Sequence, residues 1–253
     1  MTHPDHAPGP VPAAGARQPG AGAGPAVGPW DAGPAASVPA AGAWSPGAGP
    51  GPVAGPVAGL VLAAGSGSRM GRPKALVRYG GELLVERACR LLAGAGCAPV
   101  VAVLGAGAED VLLVARLPAG AAPVTNRDWP SGMGSSLRVG LSALPPDTAA
   151  VVVTLVDTPH IGAEAVRRLI AAWRTGAAAA QATYAGEPGH PVLLSRAVLA
   201  EVAATATGDR GARDWLRAHA DLVARVPCDG TGYPFDLDTP DDLAAAPNAA
   251  GEE

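Results

Sequence analysis

Residues 58–74 read AGLVLAAGSGSRMGRPK, an apolar run that passes directly into a glycine-rich loop. The apolar part, residues 58–63, predicts a buried β-strand. Ligands of open α/β sheets bind at the carboxyl ends of the strands, so a loop in this place is a candidate binding site. Glycines allow tight turns and let backbone N–H groups approach phosphate oxygens closely. The stretch therefore predicts a phosphate-binding loop at the edge of a sheet.

The spacing of glycines and cations in this loop narrows the choice of ligand. Gly65, Gly67 and Gly71 form G-x-G-x-x-x-G, one residue longer than the dinucleotide fingerprint, and no Gly-Lys-Ser/Thr follows as in a Walker A loop. Arg69 is able to donate to two phosphate oxygens at once, and Lys74, the only lysine of the chain, supplies a compact positive charge. The loop thus suits several phosphates better than a dinucleotide.

Apolar runs and amphipathic patterns alternate along the rest of the chain. Strands are predicted at residues 58–63, 99–104, 122–125, 149–155, 179–184, 191–194 and 222–226, and helices at 83–95, 109–115, 133–144, 163–173, 212–219 and 239–245. The segment 186–191, GEPGHP, is interpreted as a turn. Near-continuous apolar strands between helices indicate a mainly parallel sheet covered on both faces. We expect a Rossmann-like three-layer α/β/α fold with a small antiparallel part.

Composition divides the 253 residues into three parts and excludes several classes of protein. Residues 1–57 are dominated by Ala, Gly and Pro and predict a disordered tail without export-signal features; residues 58–245 predict one domain, and 246–253 a frayed end. A net charge of −4 argues against nucleic acid, and the apolar runs are too short to span a membrane. The three cysteines lack metal-type spacing and fit a reduced cytoplasm as small hydrophobic residues.

Carboxylates follow two segments that end at the same predicted edge. Asp157 comes directly after the apolar run VVVTLV, where it either holds a metal or caps the next helix. Asp236 and Asp238 alternate with a leucine, so in an extended segment they share one face. We take Asp238 as the metal ligand and Asp236 as its weaker partner. Thr239 is a predicted N-cap of the last helix, with Asp242 at the third helical position.

Taken together, these segments resemble the MobA-like nucleotidyltransferases over residues 57–243. The resemblance rests on the loop 62–74, on Asp-Thr-Pro at 157–159 for the D-x-P motif, and on residues 236–243 for D-x-D-T-P-x-D-L. Residues 126–137, N-x-x-W-x-x-G-M-x-x-S-L, and Gly-His-Pro at 189–191 resemble the molybdopterin cytidylyltransferase branch. The tail is no part of the family pattern, and Thr158 stands where a larger residue is common, which leaves the choice of acceptor open.

The resemblance implies transfer of a nucleoside monophosphate, CMP from CTP, to a phosphorylated acceptor such as molybdopterin, with release of pyrophosphate and Mg²⁺ as cofactor. Lys74, Arg69 and Asp157 would be catalytic, and Asp157 and Asp238 would bind the metal. The nucleotide would contact Leu62, Ala63, Ala64, Gly65, Ser66, Gly67, Gly71, Lys74, Gly132 and Ser136. The last two are equally compatible with plain loop and cap roles.

The acceptor would contact His190 and Arg210, and Arg213 is a further candidate. A structural role for His190 is nearly as compatible with the sequence, and the neighbouring Asp209 is an alternative cap for the helix predicted at 212–219. A molybdenum enzyme or its maturation factor is the macromolecular partner that the resemblance implies. Two other functions remain: an NAD(P)H-dependent enzyme similar to the nicotine blue oxidoreductases of the same family, and a non-catalytic module that delivers a cofactor.

Overall fold

The computed structural model describes residues 53–246 of the chain. Its strands are β1 (Val57–Ala63), β2 (Arg78–Tyr79), β3 (Glu82–Leu83), β4 (Val100–Leu104), β5 (Ala121–Thr125), β6 (Ala150–Leu155), β7 (Ala179–Tyr184), β8 (Glu187–Ser195) and β9 (Val223–Pro227). Its α-helices are α1 (Leu84–Gly94), α2 (Ala108–Val114), α3 (Met133–Ser142), α4 (Ala163–Arg174), α5 (Arg196–Thr205), α6 (Arg213–Ala218) and α7 (Pro240–Ala245). Nearly all of the predicted tail, residues 1–52, and the predicted frayed end from residue 247 lie outside the described residues.

Seven strands form one sheet in the order β5-β4-β1-β6-β8-β7-β9. All neighbours pair in parallel except at β8, which is antiparallel to both β6 and β7. The two-residue strands β2 and β3 form a separate antiparallel pair. This arrangement confirms the predicted fold class, a mainly parallel sheet with a small antiparallel part.

Two hydrophobic clusters cover the two faces of the sheet and make the fold three-layered. One cluster joins Val57, Val61 and Ala63 of β1 to α1 and α4, and the other joins the alternating residues of β1 to α3, α5 and α6. Side chains of successive strand residues point to opposite faces, so a strand covered on both sides is apolar throughout. That is why β1 is buried at every position.

The predicted turn at residues 186–191 is wrong. β8 already begins at Glu187, and the reversal takes place at Ala185 and Gly186, both with positive φ. Pairing with β7 reaches back to Glu187, and a bulge in the register between Gln181 and Thr183 accommodates the proline-containing segment. The helix α5 was not predicted; it buries Val198, Leu199 and Val202 against the sheet.

The central strand β1 lies between β4 and β6. After β1 the chain forms β4 and β5 on one side of it and then returns to form β6 on its other side. Leu62 near the end of β1 is in register with Leu155 at the end of β6. The loops after β1 and β6 therefore meet at one edge of the sheet. A reversal of strand order of this kind opens a crevice at the carboxyl edge of a parallel sheet. Within residues 53–246, no helix is long and apolar enough to cross a membrane.

Candidate functional site

The loop after β1 folds back on itself at Gly67. Its φ is +61°, and a Cβ atom there would lie 2.0 Å from the carbonyl oxygen of Arg72. Only glycine fits this turn, because any side chain would overlap the backbone. A Cβ at Gly65 would meet no other atom within 4 Å, so the backbone there borders open space.

That open space is a cavity of about 450 Å³, which we call the loop cavity. It is lined by the loop after β1, the end of β6, the segment before α3, and single residues of two later segments. Most of the predicted nucleotide- and metal-binding residues line it: Leu62, Ala64, Gly65, Ser66, Gly67, Arg69, Lys74, Gly132, Ser136, Asp157 and Asp238. Ala63 is buried on the opposite face of the sheet, and Gly71 forms a positive-φ turn; neither is among the lining residues.

Lys74 joins two carboxylates at one end of the loop cavity. Its Nζ donates to Asp157 Oδ2 at 2.7 Å and to Asp238 Oδ1 at 2.5 Å. Arg69 Nη1 contacts the other oxygen of Asp238 at 2.7 Å. Burial alone would lower the pKa of Lys74, but the hydrogen bonds to the two aspartates raise it above its ordinary value. The hydrogen bond from Lys74 is likewise the main reason that the pKa of Asp238 lies below its usual range.

The segment before α7 brings Asp238 to the end of β6. Leu237 is buried, and its N–H donates to the carbonyl oxygen of Asp157 at 2.8 Å, so the two segments are joined through their backbones. Thr239 caps α7 as predicted, because its hydroxyl accepts from the Asp242 N–H and Pro240 occupies the first turn. Asp157 does not cap α4: the N-cap there is Gly162.

Asp236 lies close enough to the same cluster to be affected by it. Burial raises its pKa, and the negative charges of Asp157 and Asp238 add to that effect. The metal-binding role of Asp236 as a weaker partner of Asp238 stays a prediction.

The donor set at this cluster suits a hard divalent cation that also binds phosphate. Asp157 Oδ1 is buried without a hydrogen-bond partner, which leaves a carboxylate oxygen free for a ligand. Between residues 53 and 246 there is no group of three or more His, Cys, Asp or Glu placed to hold a metal ion by itself. Magnesium is commonly bound by one or two carboxylates together with phosphate oxygens and water. Asp157 and Asp238 fit that pattern once Lys74 has moved off them.

The segment before α3 forms another part of the cavity wall and is organised by Asn126. This side chain is buried; its Nδ2 donates to Ser135 Oγ at 2.8 Å and Ser136 Oγ at 3.0 Å, and its Oδ1 accepts from the Asp128 N–H. Gly132 is also required, because a Cβ there would lie 2.5 Å from the backbone of Gly208. No role was predicted for Asn126 from the sequence, although an asparagine at a strand end before a Ser-Ser helix start was the available signal.

His190 and Arg210 line a second cavity of about 470 Å³, which we call the arginine cavity after Arg210, Arg213, Arg217 and Arg225. It shares the side chains of Leu62, Met133 and Leu155 with the loop cavity, so the two are neighbours. Burial lowers the pKa of His190, which keeps the imidazole neutral near pH 7.

Asp209 is not the cap of α6, whose N-cap is Ala212 without a side-chain hydrogen bond; it lines the loop cavity instead. The sequence offered two roles for the segment around Asp209, a cap or an acceptor contact. In the structure the two side chains of this segment line different cavities, Asp209 the loop cavity and Arg210 the arginine cavity.

Comparison with known proteins finds relatives that align with about three quarters of the chain. A family model described as the MobA-like NTP transferase domain matches residues 59–223. The chain is 39% identical over 195 residues to a nicotine blue oxidoreductase of Paenarthrobacter nicotinovorans, covering 72% of this chain and 92% of that protein. It is 36% identical over 195 residues to a molybdenum cofactor guanylyltransferase of Rhodobacter capsulatus, covering 75% and 94%. It is also similar to a Mycobacterium tuberculosis H37Rv protein solved in complex with manganese, with 29% identity, a TM-score of 0.63 and coverage of 75% and 97%.

Proposed function

The chain belongs to the MobA-like NTP transferase family, and from this premise we propose that it transfers a nucleoside monophosphate from an NTP to a phosphorylated acceptor. The observation that carries the proposal is the bridge from Lys74 to Asp157 and Asp238 beside a glycine loop with open space over its backbone. Cations and carboxylates in one cluster suit a triphosphate that arrives with a metal ion.

In the proposed reaction the loop cavity holds the triphosphate. Lys74 and Arg69 turn from the carboxylates to the phosphate oxygens, and Asp157 and Asp238 hold a divalent cation, for which we propose Mg²⁺. Such a cation neutralises charge on the phosphates. A phosphate oxygen of the acceptor attacks the α-phosphorus in line. One P–O bond forms, the bond to the β-phosphate oxygen breaks, and pyrophosphate leaves with that electron pair. Positioning and charge stabilisation are the main demands of this chemistry.

We propose CTP as the nucleotide and molybdopterin as the acceptor. The support for CTP is the resemblance of residues 126–137 to the molybdopterin cytidylyltransferase branch; this segment forms the wall around Gly132 and Ser136. The competing nucleotide is GTP, which the name of the Rhodobacter capsulatus relative favours. Pyrophosphate release with molybdopterin and Mg²⁺ is to be measured with CTP, GTP and ATP in parallel. A preference for GTP would overturn the assignment of the base and leave the reaction class intact.

The matched variants for this assay are Lys74→Ala and Arg167→Ala. Arg167 is an exposed residue of α4 that pairs with Glu164, away from both cavities, so its removal is a control for lost charge. We expect Lys74→Ala to lose pyrophosphate release and Arg167→Ala to keep it. Equal activity of the two variants would refute the proposed role of the cluster.

A second function has support from the identity of 39% to a nicotine blue oxidoreductase. Oxidation of NADH or NADPH by the protein in the presence of a quinone-like dye would favour it, and a nucleotidyltransferase should leave the reduced cofactor unchanged. Nucleotide binding without pyrophosphate release would favour delivery of a cofactor to a molybdenum enzyme or its maturation factor. The three free, buried thiols support a reducing compartment, and we propose the cytoplasm.

A further inference from the structure

We infer that the arginine cavity selects an acceptor that carries an apolar, ring-sized body and an anionic group separate from the reacting phosphate. The inference rests on the proposed function, because it takes this cavity as the place of the acceptor. The apolar body would lie against the floor of the cavity, and the anionic group would lie at its rim.

The floor of the arginine cavity is apolar. Leu137 of α3, Val153 of β6, Val192 and Leu194 of β8, and Leu216 of α6 all line it and are buried in the core. A cavity of about 470 Å³ with an apolar floor falls in the size range of small-molecule sites. Such a floor favours the apolar face of a ring, because leucine and valine side chains give a polar group no hydrogen bonds in exchange for its hydration, whereas the buried, unpartnered Nδ1 of His190 is available to one polar atom at the edge of that ring.

The rim of the arginine cavity is positively charged. Four arginines stand against one carboxylate, Glu187, so the charged residues of the lining sum to +3. His190 adds no charge near pH 7, because burial lowers its pKa. The loop cavity is different, because its lining has two cations, Arg69 and Lys74, and three carboxylates, those of Asp157, Asp209 and Asp238. The charges of these five residues sum to −1. A triphosphate in the loop cavity needs a metal ion for neutrality, whereas an anion in the arginine cavity does not.

Two of the four arginines are available to a ligand. Arg210 pairs with Asp214, and Arg225 donates to the neutral amide oxygen of Gln181. Arg213 and Arg217 have no carboxylate or hydrogen-bond partner within residues 53–246. They are four positions apart on α6 and therefore lie on the same side of the helix. Unpaired guanidinium groups beside an apolar floor are suited to a carboxylate, sulfonate or phosphate attached to a ring system.

A pair of fluorescent dyes separates the apolar contribution from the ionic one. The probe is 8-anilino-1-naphthalenesulfonate, which combines aromatic rings with a sulfonate, and its neutral counterpart is N-phenyl-1-naphthylamine. Both are titrated against the full chain without metal or nucleotide. In Arg213→Gln/Arg217→Gln we expect the Kd of the sulfonate dye to rise roughly tenfold, since a charge-assisted hydrogen bond contributes about that factor. The Kd of the neutral dye should stay unchanged.

The matched control is Arg167→Gln/Arg174→Gln, which removes two exposed charges from α4 on the other face of the sheet. It should leave the binding of both dyes unchanged. The inference would be overturned if the affinity for the sulfonate dye fell equally in both double variants, or if it fell in neither. Displacement of the dye by Mg²⁺ and CTP would also overturn it, because it would place the dye in the loop cavity. Single Arg217→Gln, on an exposed position, repeats the test if the double variant is poorly folded.

A floor variant tests the apolar half of the inference. Leu216→Gln places a polar side chain on the floor and should weaken the binding of both dyes. Unchanged binding of the neutral dye would refute the apolar half of the inference. Failure here is distinct from failure of the proposed function. Pyrophosphate release that depends on Lys74, together with no dye binding, would refute only the acceptor class. Dye binding that depends on Arg213 and Arg217, without pyrophosphate release from any NTP, would refute only the transfer reaction.

Discussion

Lys74→Met tests whether the lysine holds the place of a metal ion before the nucleotide arrives. The ammonium lies at 2.7 Å and 2.5 Å from the two carboxylates that would bind the cation, with only 15% of the lysine side chain exposed. A metal ion entering the empty protein must therefore break at least one charge-assisted hydrogen bond, worth about 1.5–3 kcal/mol. Methionine keeps the length of the side chain and removes the charge. We expect Mn²⁺ to bind the variant roughly tenfold to hundredfold more tightly in the absence of nucleotide.

The same substitution should have the opposite effect on the reaction. In the transition state Lys74 would donate to phosphate oxygens on which charge develops, and loss of one such donor costs about 10²–10³ in kcat. Mn²⁺ affinity is measured by electron paramagnetic resonance of the free ion, and the reaction by pyrophosphate release. Arg167→Met is the control for both. A variant that binds Mn²⁺ no more tightly than the parent protein would refute the competition between lysine and metal, and unchanged pyrophosphate release would refute the catalytic role.

Three further perturbations follow from the same geometry. Asp157→Asn removes the charge of a carboxylate whose Oδ1 has no hydrogen-bond partner, so Mn²⁺ affinity in a calorimetric titration should fall at least tenfold while the circular dichroism spectrum is retained. Gly132→Ala at φ +107°, with its Cβ 2.5 Å from the backbone of Gly208, should lower the free energy of unfolding by about 1–3 kcal/mol in urea and raise KM for the nucleotide; an unchanged denaturation midpoint would contradict it. The hydrogen bond from Lys74 depresses the pKa of Asp238, so the contribution of Asp238 to stability should be complete above the pKa of the unfolded chain and be lost as pH falls through the lower, folded value; Lys74→Met removes the main cause of that depression, so the fall of Tm attributable to Asp238 in acid titrations should be smaller in the variant than in the parent protein.

The parallel half of the fold followed from apolar runs because its strands are buried on both faces. β1 and β6 are apolar at every position except Thr154, and such runs are distinctive in the sequence. β8 was shortened in the prediction because Pro188 and Gly189 are turn residues by composition. Its pairing with β6 and β7 satisfies the backbone there, and pairing between distant segments leaves no local trace.

The loop cavity could be predicted from the sequence, for a physical reason that does not apply to the arginine cavity. Apart from Asp209, the charged residues of the loop cavity follow β1 or β6 or lie in the segment before α7, and the rules for α/β sheets place ligands at the carboxyl ends of strands. The arginine cavity draws on α6, β8 and β9, whose relative positions depend on the antiparallel crossing of β8. Arg217 and Arg225 are ordinary surface charges in the sequence, and only the fold brings them to one cavity as a set.

The junction between the two cavities explains how one site could use both. Leu62, Met133 and Leu155 border each cavity, so the boundary across which the acceptor phosphate would attack carries apolar side chains and no charge of its own. Apolar walls at that point disfavour bulk water, which would otherwise compete with the acceptor for the α-phosphorus. The charged groups on either side would then have separate roles, because the carboxylates and Lys74 face the triphosphate and the arginines face the far end of the acceptor. An acceptor held at both ends would have little freedom at its reacting phosphate, and restricted freedom of this kind is the largest contribution that positioning makes to such a transfer. On this reasoning, removal of Arg213 and Arg217 should raise KM for a doubly anionic acceptor more than for one that carries only the reacting phosphate.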